Sequence, residues 1–223
     1  MAEPAAPAVP RLDKLGLSRG RPLVIVDVDE VLGLFMKGFG GFLEARGYDF
    51  RIDRFALFQN IYPRGAPQGS TEHLDLEAGR VLFNEFFAGH CADIEPAPGA
   101  IAALNRLGRR AEILILSNAP PQAEALRGQW LRKHGLPHPL ILSSGPKGPI
   151  TAGLVAQTAQ RTAFVDDLLP NLDSVAEHAP ATATFQHVAD ERLRPLAPAA
   201  PDRHPRIDDW AELGQAIERA IHS

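Results

Sequence analysis

Two aspartates one residue apart, Asp27 and Asp29, stand at the end of the apolar run "PLVIV" and are followed at once by Glu30. Three other strand-length apolar runs also end in or lead to polar groups. "ILIL" at 113–116 runs into Ser117 and Asn118, "PLIL" at 139–142 leads through "SSGPKGP" to Lys147, and "TAFV" at 162–165 ends in Asp166 and Asp167. In open parallel sheets ligands bind beyond the carboxyl ends of the strands, so these groups are expected in one crevice. Four carboxylates at such an edge repel one another and need either protons or a cation. Oxygen ligands without His or Cys favour Mg²⁺ over zinc, and Mg²⁺ commonly keeps positions for water and substrate phosphate.

None of the four runs alternates apolar with polar residues, the pattern of strands covered on both faces of a parallel sheet. Helical patterns at 99–110, 120–135 and from Pro170 onward separate them, giving an α/β expectation. A fifth strand is expected at 182–185 and an amphipathic terminal helix at about 208–221. Residues 1–20, which open on Ala and Pro, read as a flexible lead-in. No internal repeat is present.

The four motifs, in this order, resemble those of the haloacid dehalogenase superfamily, its phosphatase branch. "DVDEVL" is similar to the family's first motif, "LSNAP" to the second, Lys147 in "GPKGP" to the third and "FVDDLLPN" to the fourth. The resemblance covers residues 21–32 and roughly 96–190. It implies a Rossmann-like core with strand order 3-2-1-4-5, and catalytic residues carried over position by position. Asp27 is then the nucleophile that forms an aspartyl-phosphate, and Asp29 the acid/base. Ser117, with the backbone N–H of Asn118, binds phosphoryl oxygens, and Lys147 neutralises charge and fixes Asp27. Mg²⁺ is held by the side chains of Asp27 and Asp166 and the backbone carbonyl of Asp29, with Asp167 acting through water or orienting a neighbour. Glu30, at a position variable in the family, reads as a local hydrogen-bonding residue.

The domain reading is a catalytic core at 21–32 and 95–223, interrupted by a small, mainly helical cap at 33–94. Nine of the 11 Phe and both Tyr lie in that insertion, which needs large side chains to build a core of its own. Gly33, Gly38, Gly40 and Gly41 suggest a weakened helix start and a hinge. Arg46, Arg51, Arg54 and Arg64 are candidate anion anchors.

The formal net charge of −4 gives no reason to expect a nucleic-acid or anionic-membrane partner. The single cysteine, Cys91, permits no intrachain disulfide, and with His90 it finds no matching metal-binding pair elsewhere. No apolar run reaches bilayer length, and the N-terminus lacks a secretory pattern, so a cytoplasmic protein is expected. The expected activity is Mg²⁺-dependent hydrolysis of a small organic phosphomonoester. The alternatives are a phosphomutase, or a regulatory protein that binds a phospho-ligand on the same scaffold.

Overall fold

A computed structural model describes residues 9–222. The chain enters its sheet at β1 (Leu23–Val26) and leaves it for an insertion made of α1 (Phe35–Ala45), β2 (Tyr48–Phe50), β3 (Ile61–Pro63) and α2 (Leu76–Gly89). It returns through α3 (Ala100–Leu107), β4 (Glu112–Asn118), α4 (Glu124–Lys133), β5 (Leu140–Ser143) and α5 (Gly148–Val155). It ends with β6 (Thr162–Asp166), α6 (Leu169–His178), β7 (Ala183–Gln186) and α7 (Trp210–His222).

The five core strands are all parallel and lie in the order β5-β4-β1-β6-β7, which is 3-2-1-4-5 when they alone are numbered. Side chains alternate faces along each strand, so a continuous apolar run feeds two cores. Val24, Val26, Ile113, Ile115 and Val165 join the core that includes α3 and α7. Leu23, Ile25, Leu114, Leu116 and Phe164 join the one that includes α5 and α6. Helix α7 buries Trp210, Leu213, Ile217 and Ile221, one stripe at helical spacing.

Three features depart from the sequence reading. Residues 1–8 of the expected lead-in lie outside the described residues, but the stretch that follows is packed: Leu12 is fully buried and Leu17 is buried in the α5/α6 core. Gln157 secures it, accepting from the Leu12 N–H at 2.9 Å and donating to the Pro10 carbonyl at 3.0 Å. The insertion also contains an antiparallel pair, β2 with β3, beside its two helices. Finally, the glycines at 38, 40 and 41 do not interrupt α1. A Cβ at Gly38 would lie 2.7 Å from Ile94 and one at Gly40 2.7 Å from Phe50, so these two glycines permit close packing.

Gly148, the first residue of α5, is the tightest such approach. A Cβ there would sit 2.2 Å from the Ser174 carbonyl oxygen and 2.4 Å from its hydroxyl. Because the obstacle is backbone on α6, Gly148→Ala is expected to cost about 3 kcal/mol of stability by urea denaturation. Wild-type stability in that variant would show that the two helices have room to separate.

Candidate active site

The polar ends of the core strands meet at one edge of the sheet. Asp27 follows β1, Ser117 and Asn118 close β4, Asp166 ends β6, and Lys147 is the residue before α5. Lys147 is fully buried, and its Nζ lies 2.9 Å from Asp27 Oδ1 and 2.7 Å from Asp166 Oδ2. Burial disfavours the ammonium, but the two carboxylates outweigh that and raise its pKa. Asp166 is saturated: besides Lys147 it accepts from the Leu168 N–H at 2.9 Å and from Asn171 Nδ2 at 3.0 Å and 3.2 Å. Asp167 is buried as well, and its carboxylate lines the cavity above.

Asp27, Asp166 and Asp167 each offer a carboxylate oxygen, all within 4.8 Å of one another, and no other acidic, His or Cys group among the described residues forms such a set. Burial raises Asp27 to about 7, opposed by Lys147 and reinforced by the charges of Asp166 and Asp29. Burial likewise holds Asp167 well above the usual carboxylate range, with Asp166, Asp27 and Glu30 adding to it. Three oxygen donors this close could hold a metal ion, and an all-oxygen set suits a hard cation. The Ser117 hydroxyl, at the end of β4, is fully buried and has no hydrogen-bond partner in the protein. The Asn118 side chain is occupied, donating to the Gly145 carbonyl at 2.9 Å and accepting from Ser143 at 2.7 Å.

Asp29 lines the same cavity and is held by a residue that sequence inspection passed over. Arg127, on α4 and fully buried, donates from Nη2 to Asp29 Oδ1 across 98 positions of sequence, with its guanidinium 5.0 Å from the Phe87 ring centroid. Its Nε and Nη1 have no partner. A charged residue on an otherwise ordinary helix carries no local mark; the one available signal was an arginine amid the buried positions Ala123, Trp130 and Leu131.

Glu30 has a structural part. It is the one non-glycine residue with positive φ among the described residues, at 57°. Its buried carboxylate accepts from the Met36 N–H at 2.7 Å and the Asp190 N–H at 3.1 Å, joining the first motif to α1 and to the loop after β7. Cys91 donates to the Phe87 carbonyl at 3.3 Å, burial pushes its thiol pKa up, and the neighbouring His90 ring lies against Phe42. The arginines of the insertion are turned to other tasks: Arg46 pairs with Glu85, Arg51 with Asp49 and the Pro67 carbonyl, and Arg64 with the Glu44 carbonyl. Arg54 is exposed, and none of the four lines the cavity. A wider groove of about 860 Å³, beside Glu112 and Pro139, is lined by none of these aspartates.

Burial pushes the Glu30 carboxyl up to about 8, from 4.5. A folded-state pKa above the unfolded one means the folded protein holds the proton more tightly. That contribution to stability is complete below about pH 4.5 and is lost as pH rises through about 8. Glu30→Gln, which cannot ionise, is therefore expected to be less sensitive to pH over this window, with the fall in urea midpoint measurably flattened. An unchanged pH dependence would assign it to other groups.

No protein-family model matches the sequence, and no curated protein matches it. Solved structures do. A haloacid dehalogenase-like hydrolase from Streptococcus pneumoniae is 13% identical, with 88% of this chain and 98% of that one aligned at a TM-score of 0.60. YfnB of Bacillus subtilis, assigned as a HAD-hydrolase and bound to magnesium, is 15% identical over 90% and 99% of the two chains at 0.58. A HAD-superfamily hydrolase from Ehrlichia chaffeensis is 16% identical over 92% and 100% at 0.53. At these identities the likeness establishes a shared fold.

Proposed function

We propose that this chain is a Mg²⁺-dependent phosphomonoester hydrolase of the haloacid dehalogenase type. The observation that carries the reading is the buried Lys147 between Asp27 and Asp166, with Asp167 completing three converging carboxylates at the end of a parallel sheet. The fold shared with hydrolases of that superfamily supports it.

Asp27 attacks the phosphorus, forming the aspartyl-phosphate as the ester P–O bond breaks. Asp29 gives its proton to the departing alkoxide and then takes one from the water that attacks the same phosphorus. That second displacement releases inorganic phosphate and returns Asp27 as a carboxylate. Lys147 holds Asp27 beside a positive charge throughout, and Ser117 donates to a phosphoryl oxygen. Asp27, Asp166 and Asp167 are the side chains that would hold Mg²⁺, together with the Asp29 carbonyl. The bound ion supplies charge that lets an anionic nucleophile approach an anionic phosphate. Arg127 is a positioning residue: by donating to Asp29 Oδ1 it orients the carboxyl group and leaves Oδ2 to give and take the proton.

Release of phosphate from a panel of phosphomonoesters, with and without Mg²⁺, tests the reading. Asp27→Asn is expected to abolish turnover and Asp29→Asn to lower kcat by about 10²–10⁴. Turnover that survives Asp27→Asn, or that ignores Mg²⁺ after chelation, would overturn it.

Arg127→Met is expected to lower kcat about tenfold or more while KM changes little, since it misplaces Asp29 rather than the phosphate. Arg127→Lys should restore part of the loss. Equal changes in kcat for both variants, explained wholly by lost folded protein, would reduce Arg127 to a structural residue.

A further inference from the structure

The cavity over the aspartates is small, about 260 Å³, below the usual range for sites that hold drug-sized ligands. Its polar lining residues are Asp27, Asp29, Glu30, Asp167, Asn118 and Asn171, and the Glu30 carboxylate is already engaged by the Met36 and Asp190 N–H groups. The other walls are apolar. Phe35, Met36, Phe55, Leu57 and Phe83 come from the cap, and Leu168 and Leu193 from the core. Leu168 is one of three large apolar side chains with substantial exposure, 40%, among the described residues, and it borders this cavity.

Among the described residues no Lys, Arg or His lines this space. The two cations buried nearby already face carboxylates, Lys147 between Asp27 and Asp166, and Arg127 against Asp29. With the metal site given over to the reacting phosphoryl group, a leaving group with its own carboxylate or second phosphate would find no cationic side chain to pair with. Sugar hydroxyls would lie against Phe, Leu and Met side chains that offer no hydrogen bond, and a site rejects groups whose polar atoms it leaves unpaired. An uncharged apolar group loses nothing there, and each methylene taken out of water is worth roughly fourfold in affinity.

We infer that the substrate is the phosphate monoester of a compact, uncharged, apolar alcohol, either aromatic or branched aliphatic. This rests on the hydrolase reading above and narrows it. The phosphoryl group lies over Asp27, and the carbon portion lies between α1, α2 and the loop carrying Phe55 and Leu57. Selection comes from the absence of a cation as much as from the aromatic surface.

The test uses the full chain with Mg²⁺ and compares kcat/KM for benzyl phosphate and 3-methylbutyl phosphate with that for phosphoglycolate and glycerol phosphate. All can release a primary alkoxide, which keeps leaving-group basicity from deciding the order. The apolar pair is expected to be favoured by about 10²-fold or more. Binding of benzylphosphonate and phosphonoacetate by calorimetry gives the same comparison without turnover, and p-nitrophenyl phosphate reports hydrolysis separately. Phe83→Arg, which places a cation in the apolar wall, should move the preference towards phosphoglycolate by at least about tenfold. Hydrolysis of p-nitrophenyl phosphate with phosphoglycolate equal or preferred would overturn the apolar assignment and leave the hydrolase reading standing. Absence of all turnover with benzylphosphonate still bound in preference would overturn the hydrolase reading and keep the apolar site. Phosphonoacetate binding as well as benzylphosphonate would overturn the apolar site whatever the kinetics.

Discussion

The site depends on one buried ammonium shared by two carboxylates. Asp27 and Asp166 end neighbouring parallel strands, so the sheet itself forces their side chains together, and Asp167 follows directly. Desolvated carboxylates at that spacing oppose ionisation, as the raised pKa values of Asp27 and Asp167 record. Lys147 relieves part of the repulsion, and it must arrive from a third element. That is why the packing of α5 matters: Lys147 immediately precedes the helix, and Gly148 lets α5 lie against Ser174 of α6. One lysine against three carboxylates leaves excess negative charge whenever all three are ionised, which protons or a bound cation must offset.

The same logic explains what could be read from the sequence. Strands covered on both faces must be continuously apolar, so a carboxylate at the end of such a run stands out, and Asp27, Asp166 and Asp167 were visible for that reason. The strand order became visible only through the resemblance to a known family, because nothing in a short apolar run says which neighbour it pairs with. Arg127 was illegible because its partner is 98 residues away, and its meaning comes from burial that helix spacing does not announce. The glycines of α1 misled in the opposite sense. Local propensity treats them as weak points in a helix, whereas Ile94 and Phe50 occupy the space left at Gly38 and Gly40, and only Gly41 faces open space. Residues 10–17 were misread from composition, since Leu12 and Leu17 are too few to mark a core segment until Gln157 fixes the chain above them.

The connection between core and insertion shows how an apolar wall can be held at a set distance from Asp27. The two linking segments bond to each other, Leu34 N–H to the Glu95 carbonyl at 2.9 Å and Ala97 N–H to the Leu32 carbonyl at 2.8 Å. Each is also tied to the core by a buried indole: Trp210 donates to the Val31 carbonyl at 3.0 Å and Trp130 to the Ile94 carbonyl at 2.8 Å. Tryptophan suits both places because its bulk fills the core while its single N–H satisfies a carbonyl that leaves the sheet. The cap therefore departs and returns through a junction in which backbone polar groups are paired and little slack remains.

Glu30 is the most constrained point of that junction. A left-handed conformation costs a non-glycine residue about 1–2 kcal/mol. Here it persists because four hydrogen bonds require it: its N–H reaches the Gly33 carbonyl, its carbonyl accepts from Ala189, and its carboxylate accepts from Met36 and Asp190. The turn that follows Asp27 and Asp29 is thus continuous, through Glu30, with the first turn of α1, which carries Phe35 and Met36 into the cavity wall. The start of the wall and Asp27 belong to one hydrogen-bonded unit, so this part of the insertion cannot shift without disturbing the aspartates. Freedom to admit a substrate must lie farther along the insertion, where β2, β3 and α2 are joined to α1 by side-chain packing and surface ion pairs such as Arg46 with Glu85.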